Sequence, residues 1–383
     1  MVCPLIATLF STLPAASTDL GTLRTPRLWG NSKKQPSCRA VSNIQGPTEC
    51  LPGARDGQRG DPMDFSVIMP NYNHGDRIAI ALDSIFNQSV LPKEVIVLDD
   101  GSTDDSLAVL ERYAANQPLL RVIRFEKNRG AVDACNELFR QAKGEYILGF
   151  PADDIILPGA FERAAAMLDA NPGAGVCCAD YFMVDTASGK LEHYRMGFAE
   201  EACFLDPENF TERLKGWWVP SFTSFIRRDA LEAAGYFLTD TRWHCDWLAY
   251  LTVAFRHGLC YIPEPLAARR RHDDAYGTKG RRNRQEQDQV LRNLLGRLKS
   301  DEFRDVMPKF VRSGAMLFFN NELDRLVMSD PGMWDNETLM LAQLPMWYRM
   351  RACKMHMDSI WDRRLDAESE HQAYINEALL DVE

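Results

Sequence analysis

The sequence predicts an α/β protein, a mostly parallel sheet flanked by helices, with a C-terminal helical appendage. Three observations carry this expectation. From Phe65 onward, short runs of Val, Ile, Leu and Phe alternate with amphipathic stretches. Turn residues bound each run, and strand–helix–strand alternation of this kind joins parallel strands by right-handed crossovers. Residues 280–383, lastly, are rich in Leu, Met, Arg, Glu and Gln at helical spacing.

Taken in order, the runs Phe65–Met69, Glu94–Leu98, Arg121–Phe125 and Glu145–Phe150 are the expected strands. Between them apolar residues recur every three or four positions. Ile78, Leu82, Ile85 and Phe86 do so within 77–88, Leu107, Leu110 and Tyr113 within 104–116, and Ala134, Leu138 and Phe139 within 131–143. Gly144 is placed to end the third of these helices. Further helices are expected over 281–299, 308–329 and 334–361. Leu291, Leu294, Leu295 and Leu298 mark the first; Val311, Ala315, Leu317 and Phe318 mark the second. Trp334, Trp347, Tyr348 and Trp361, interleaved with Arg349 and Arg351, suit a buried helix–helix seam or peripheral contact with a membrane interface.

Residues 1–62 differ from the rest. They are crowded with Pro, Gly, Ser, Thr and Arg, carry a net charge of +3, and show no sustained period. Two readings stay open: a disordered tail, or a start assigned upstream of a native Met63. Val2–Ser17 lacks the basic flank of a secretory leader, and Pro4 and Pro14 interrupt it. The division is therefore 1–62, a core domain over 63–279, and a helical region over 280–383.

A net charge of −10 over 383 residues argues against nucleic acid as a general partner, because the summed field repels phosphate. Ten scattered cysteines contain no C-x-x-C pair, so a zinc ribbon or redox motif is excluded. Buried free thiols in the reducing cytoplasm are expected.

In a sheet of this type ligands bind beyond the carboxyl ends of the strands. Pro70-Asn71-Tyr72-Asn73 follows the first strand, Asp99-Asp100-Gly101-Ser102-Thr103-Asp104 the second, and Pro151-Ala152-Asp153-Asp154 the fourth. Each acidic pair alone is also what caps a helix or closes a turn. Two pairs facing one crevice repel unless a cation or sugar hydroxyls compensate them, and hard oxygen donors suit Mg2+ or Mn2+. No G-x-G-x-x-G or Walker sequence offers another way to hold phosphates.

These loops, with Asn128-Arg129-Gly130 leading to Asn136 and with Gly144-Glu145-Tyr146-Ile147, resemble family 2 glycosyltransferases over about residues 64–275. The resemblance implies a GT-A fold, Rossmann-like in its sheet, a nucleotide-diphosphate sugar donor and a divalent metal. Position by position, it implies that Pro70, Asn71 and Tyr72 line the nucleobase site and that Asp100 bonds the nucleoside. Asp153 and Asp154 match the closing acids of the family's D-x-D-D region, which hold the ribose and the metal-bound diphosphate. The leading acid of that motif is replaced by Pro151.

Downstream, Gly235-Tyr236-Phe237 precedes Trp243-His244-Cys245-Asp246-Trp247, similar to the family segment whose second acid is the catalytic base. Here Cys245 stands for the first acid, and Asp246 is the base that the resemblance implies. An acceptor hydroxyl needs such a carboxylate to take its proton as it attacks the anomeric carbon. One base with one metal is what an inverting single displacement requires. The alternative for Asp246 is an ion pair with Arg242 or a helix cap. In Arg269-Arg270-Arg271-His272, Arg271 and His272 are assigned to the diphosphate, and Arg269 is not. Lys215–Ser224, with Trp217 and Trp218, suits an acceptor cleft or core packing. His244 is read as a packing residue, second to Asp246 as a base. The resulting expectation is a cytoplasmic inverting transferase, possible as a peripheral protein at the inner membrane face, acting on a saccharide or lipid-linked acceptor in polysaccharide or glycolipid assembly. The rival expectation is a catalytically silent nucleotide-sugar-binding scaffold, suggested by Pro151 and Cys245.

Overall fold

A computed structural model of the chain describes residues 63–185, 190–271 and 276–342. The question of the first 62 residues lies outside that range, as do His272, Trp347, Tyr348 and Trp361. The four expected strands are present as β1 (Met63–Asn71), β2 (Pro92–Asp99), β3 (Leu120–Arg124) and β4 (Tyr146–Gly149). Val95, Ile96, Val97 and Leu98 of β2 have no exposed surface, as expected of a parallel strand covered on both faces. The intervening helices are α1 (Ile78–Phe86), α2 (Ser106–Ala114) and α3 (Ala131–Gln141).

The remaining strands are β5 (Ile155–Ile156), β6 (Val176–Asp185), β7 (Leu191–Tyr194), β8 (Cys203–Leu205), β9 (Phe225–Arg227) and β10 (Leu259–Arg271). The sheet runs β3-β2-β1-β4-β9-β6-β10-β5, with β7 paired to β6 and β8 to β10. It is parallel from β3 to β4 and between β6 and β10. Elsewhere it is antiparallel, so the sheet is mixed, with short antiparallel strands that the sequence pattern does not announce.

Gly144 does not end α3, which stops at Gln141. Its N–H donates to Ser66 Oγ at 2.8 Å, and a Cβ there would overlap the β1 backbone at Phe65 and Ser66. The glycine serves close approach rather than capping.

Helices α4 (Ala160–Ala170), α5 (Pro207–Leu214) and α6 (Arg228–Ala233) precede α7 (Cys245–His257), in which every residue from Trp247 to Phe255 is buried. A helix apolar all round belongs inside a molecule. After it come α8 (Tyr276–Arg282), α9 (Arg284–Leu298), α10 (Met307–Arg312), α11 (Asn320–Met328) and α12 (Asn336–Leu341). Trp247 packs on Phe310 and Phe319, with ring centroids 5.3 and 4.9 Å apart. The C-terminal helices therefore share one hydrophobic core with the sheet. Trp334 is buried in that seam, its indole N–H donating to the Val327 carbonyl at 2.9 Å. No helix of the described residues is long and apolar enough to cross a membrane. Their six cysteines, Cys135, Cys177, Cys178, Cys203, Cys245 and Cys260, are free.

Candidate active site

The strand order reverses direction at β1, flanked by β2 and β4, and a crevice opens at such a switch point. Pro70 and Asn71 end β1, and Tyr72 beyond them is 42% exposed. Asn71 is buried. Its amide donates to Asp99 Oδ1 at 2.9 Å, while its amide oxygen has no partner among the described residues. Asp99 also accepts from the Ser102 N–H at 3.1 Å, so this acid closes its own turn. Asn73, at φ 57, accepts from the Thr103 N–H at 2.8 Å and zips the β1 loop to the β2 loop. Left-handed backbone of this kind is tolerated best by Gly and Asn.

Asp100 is buried, and its two oxygens accept from the N–H groups of Arg129 and Gly130 at 2.7 and 2.9 Å. The carboxylate thus braces the loop that starts α3. Asn136, further along α3, clips that helix to the downstream segment: its amide donates to the Phe237 carbonyl at 2.8 Å and accepts from the Phe237 N–H at 3.0 Å. These contacts explain why the sequence holds Asn128-Arg129-Gly130, Asn136 and Gly235-Tyr236-Phe237 as separate motifs.

Asp153 and Asp154 follow β4 and precede β5, which pairs with β10 at Ala267 and Ala268. The pairing brings Asp154 beside the arginine run, where Oδ1 accepts from the Arg270 N–H at 2.9 Å. Arg270, half-buried, has a guanidinium that burial and Arg77 hold below its usual pKa, while Asp153, Asp154 and Asp76 pull it back up. Arg269 to Arg271 are strand residues rather than a loop, paired with Met183 to Asp185 of β6. Among the described residues no three His, Cys, Asp or Glu side chains gather as a metal cage. Two carboxylates are nevertheless hard oxygen donors of the right kind, and they fit an ion whose coordination is completed by a diphosphate and water.

Asp246 lies in the first turn of α7, partly exposed. Oδ1 accepts from the Trp247 N–H at 2.7 Å and Oδ2 from the Ser221 hydroxyl at 2.9 Å. Arg242 pairs instead with Glu286 at 2.6 Å, so the ion-pair alternative for Asp246 is not realised. Burial pushes the Asp246 carboxyl above the usual carboxylate range, opposed by Ser221, the Trp247 N–H and the charge of Arg269. Arg269, given no role by the sequence reading, lies over the Phe222 ring at 5.2 Å and near this acid. The end of β10 thus connects Asp246, through Arg269, with Asp153 and Asp154, through Arg270. Ser221 was visible only as a member of an aromatic segment, since nothing in sequence links it to a residue 25 positions away. His244 is buried, and desolvation with the Arg281 charge lowers its pKa to about 3, which leaves it a weak base.

Residues 66–235 match the model of the family described as Glycosyl transferase family 2. Escherichia coli K12 YibD, an uncharacterized glycosyltransferase, is 34% identical over 123 residues, 32% of this chain and 36% of YibD. The Staphylococcus aureus Mu50 protein TarS, a poly(ribitol-phosphate) beta-N-acetylglucosaminyltransferase, is 40% identical over 111 residues, 28% of this chain and 19% of TarS. The chain therefore spans about a third or less of the length of these two relatives. The crystal structure of S. aureus TarS 1–349 in complex with UDP-GlcNAc superposes with a TM-score of 0.54 at 20% identity, covering 79% of this chain and 93% of that one. With the loops, the strand order and the matched segment in agreement, residues 66–235 are similar to the family 2 glycosyltransferases, and the chain carries the GT-A fold.

Proposed function

We propose that the protein transfers a sugar, with inversion, from a nucleotide-diphosphate donor to a hydroxyl of a saccharide or lipid-linked acceptor, with Asp246 as base. The observation that carries this reading is the setting of Asp246. Ser221 and the Trp247 N–H fix the carboxylate, and burial raises its proton affinity, which is what a general base near neutral pH needs. Pro70, Asn71 and Tyr72 are assigned to the nucleobase side, where Tyr72 is exposed and Asn71 is buried. Asp100 shapes the pocket wall through the Arg129–Gly130 loop. The TarS complex with UDP-GlcNAc supports a nucleotide sugar as donor.

Asp153 and Asp154 would hold a divalent cation, Mg2+ or Mn2+, which when bound neutralises charge on the departing diphosphate. Arg270 stands beside both acids and adds fixed positive charge there. Arg271 and His272 are assigned to the same diphosphate. Trp217, 47% exposed and four residues before Ser221, offers a face for an acceptor sugar ring. The unpaired cysteines among the described residues support a cytoplasmic location.

The test is nucleoside-diphosphate release from a panel of UDP-, GDP- and dTDP-sugars, UDP-GlcNAc first, with Asp246→Asn beside the native protein. The amide preserves shape and removes the proton acceptor, so kcat falls by about 10²–10⁴-fold while donor affinity holds. The melting temperature does not fall, because burial makes the charged form of Asp246 the costly one. Native turnover by the folded variant refutes the assignment.

A further inference from the structure

The residues just before Asp246 form a strained turn, and a helix far away in sequence holds it. Thr239–His244 is a short 3-10 segment in which Arg242 departs from helical backbone, with φ 45 and ψ −117. Positive φ is unfavourable for a side chain as large as arginine, and such backbone persists only where its surroundings over-determine it. The surroundings here are α9. Glu286 pairs with Arg242 at 2.6 Å, Asn293 donates to the Asp240 carbonyl at 2.9 Å, and Arg297 pairs with the Asp240 carboxylate at 3.0 Å.

Gln287 occupies the centre of this contact. It sits on the stripe continued by Val290, Leu291, Leu294, Leu295 and Leu298, all buried, where an apolar side chain would extend the seam. Instead a glutamine, 2% exposed, is buried with its amide fully used. Its oxygen accepts from the Trp243 indole N–H at 2.6 Å. Its nitrogen donates to Glu322 at 2.7 Å, Glu322 being held in turn by Arg281, and His244 Nε2 lies 3.2 Å from the amide oxygen and 3.1 Å from the amide nitrogen. A buried amide is tolerated only when every hydrogen bond is made, so it selects one arrangement of the groups around it. The groups selected are Trp243 and His244, and His244 is the residue from which α7, and Asp246 in its first turn, departs. The other face of Trp243 is closed by α8, where Gly280 lies so near the ring that any Cβ would overlap it.

We propose that Gln287 is a positioning residue for Asp246, and that the C-terminal helices supply the rigid support for the base. This inference rests on the assignment of Asp246 made above. A carboxylate displaced by about 1 Å loses much of its catalytic advantage, up to about 10²-fold, without any change in the donor site. The C-terminal region, which carries no motif of the family, is on this reading part of the catalytic unit.

The experiment is a set of coupled substitutions in the full chain. Gln287→Ala and Trp243→Phe are each made in the native background and in Asp246→Asn. Trp243→Phe deletes the indole N–H with part of the ring and keeps an aromatic ring near Gly280, so it decides the matter if Gln287→Ala fails to fold. Diphosphate release from the fastest donor of the panel gives kcat and KM, and titration with the matching nucleoside diphosphate gives donor-site affinity. The expected result is a loss of about tenfold or more in kcat in the native background, donor affinity within about twofold, and less than about twofold further loss in Asp246→Asn. Residues acting as a unit are non-additive in this way. Native kcat in the folded variants, or a loss as large in Asp246→Asn as in the native background, overturns the role of Gln287 while leaving the base in place. Native kcat in Asp246→Asn alone overturns both.

Discussion

His244 gives the protein a definite dependence of stability on acid. The ring is 3% exposed, its Nε2 is bonded to the Gln287 amide, and Phe319 stands 4.8 Å away edge-on. With Arg281 nearby, its pKa falls from an ordinary 6.5 to about 3 in the folded state. The unfolded chain therefore binds one more proton than the folded one between about pH 6.5 and pH 3, and stability is lost as pH falls through that window. Integrating the difference gives a loss of about 2 kcal/mol between pH 7.5 and pH 5 from this one side chain. Other groups titrate in the same range, so the measurement is a difference. Urea unfolding of the native protein and of His244→Gln, whose amide can still bond Gln287, is followed at half-unit intervals from pH 7.5 to pH 5. The native protein is expected to lose about 2 kcal/mol more than the variant across the series. Parallel curves would refute the reasoning, and would restore the imidazole as a group able to take a proton near neutral pH.

Asn136→Leu should cost about 2–5 kcal/mol, because the Phe237 N–H and carbonyl are both left unsatisfied; chemical denaturation measures it, and a loss below about 1 kcal/mol would show that the clip is replaceable. Asp154→Asn should weaken binding of a nucleoside diphosphate much more in Mn2+ than in chelator, by calorimetric titration. Equal losses in both conditions would mean that the carboxylate acts through its bond to the Arg270 N–H rather than through an ion.

Where hydrophobic periodicity and chain order coincide, the sequence was a good guide. β1 to β4 and α1 to α3 lie within a few residues of their expected limits, because a buried parallel strand is an uninterrupted apolar run and a covering helix is amphipathic. Strands without that signature escaped notice. β5 has two residues and β9 three, too few to form a pattern. β10 runs through Pro263 and Pro265, residues that argue against a strand, and absorbs them with register shifts between Ile262 and Ala267. Arg269 and Arg270 consequently read as the start of a basic loop. At the site, each loop contributing a motif was legible, but the bonds between loops were not. Ser221 reaches Asp246 across 25 positions, and Gln287 reaches Trp243 across 44. Such pairs are set by topology, and local patterning holds no trace of them.

The place of β9 in the sheet bears on the order in which the molecule assembles. β3, β2, β1 and β4 are joined by crossovers confined to residues 63–149. β9 must return from residue 225 to lie against β4, where Ile226 pairs with Ile147 on one side and with Val176 of β6 on the other. Loop closure costs more entropy as the separation grows, and pairings distant in sequence form late. Contacts made by Ile226 therefore act mainly to slow unfolding rather than to speed folding. On these grounds the segment that carries β1 to β4 is expected to form before the segment that carries Asp246.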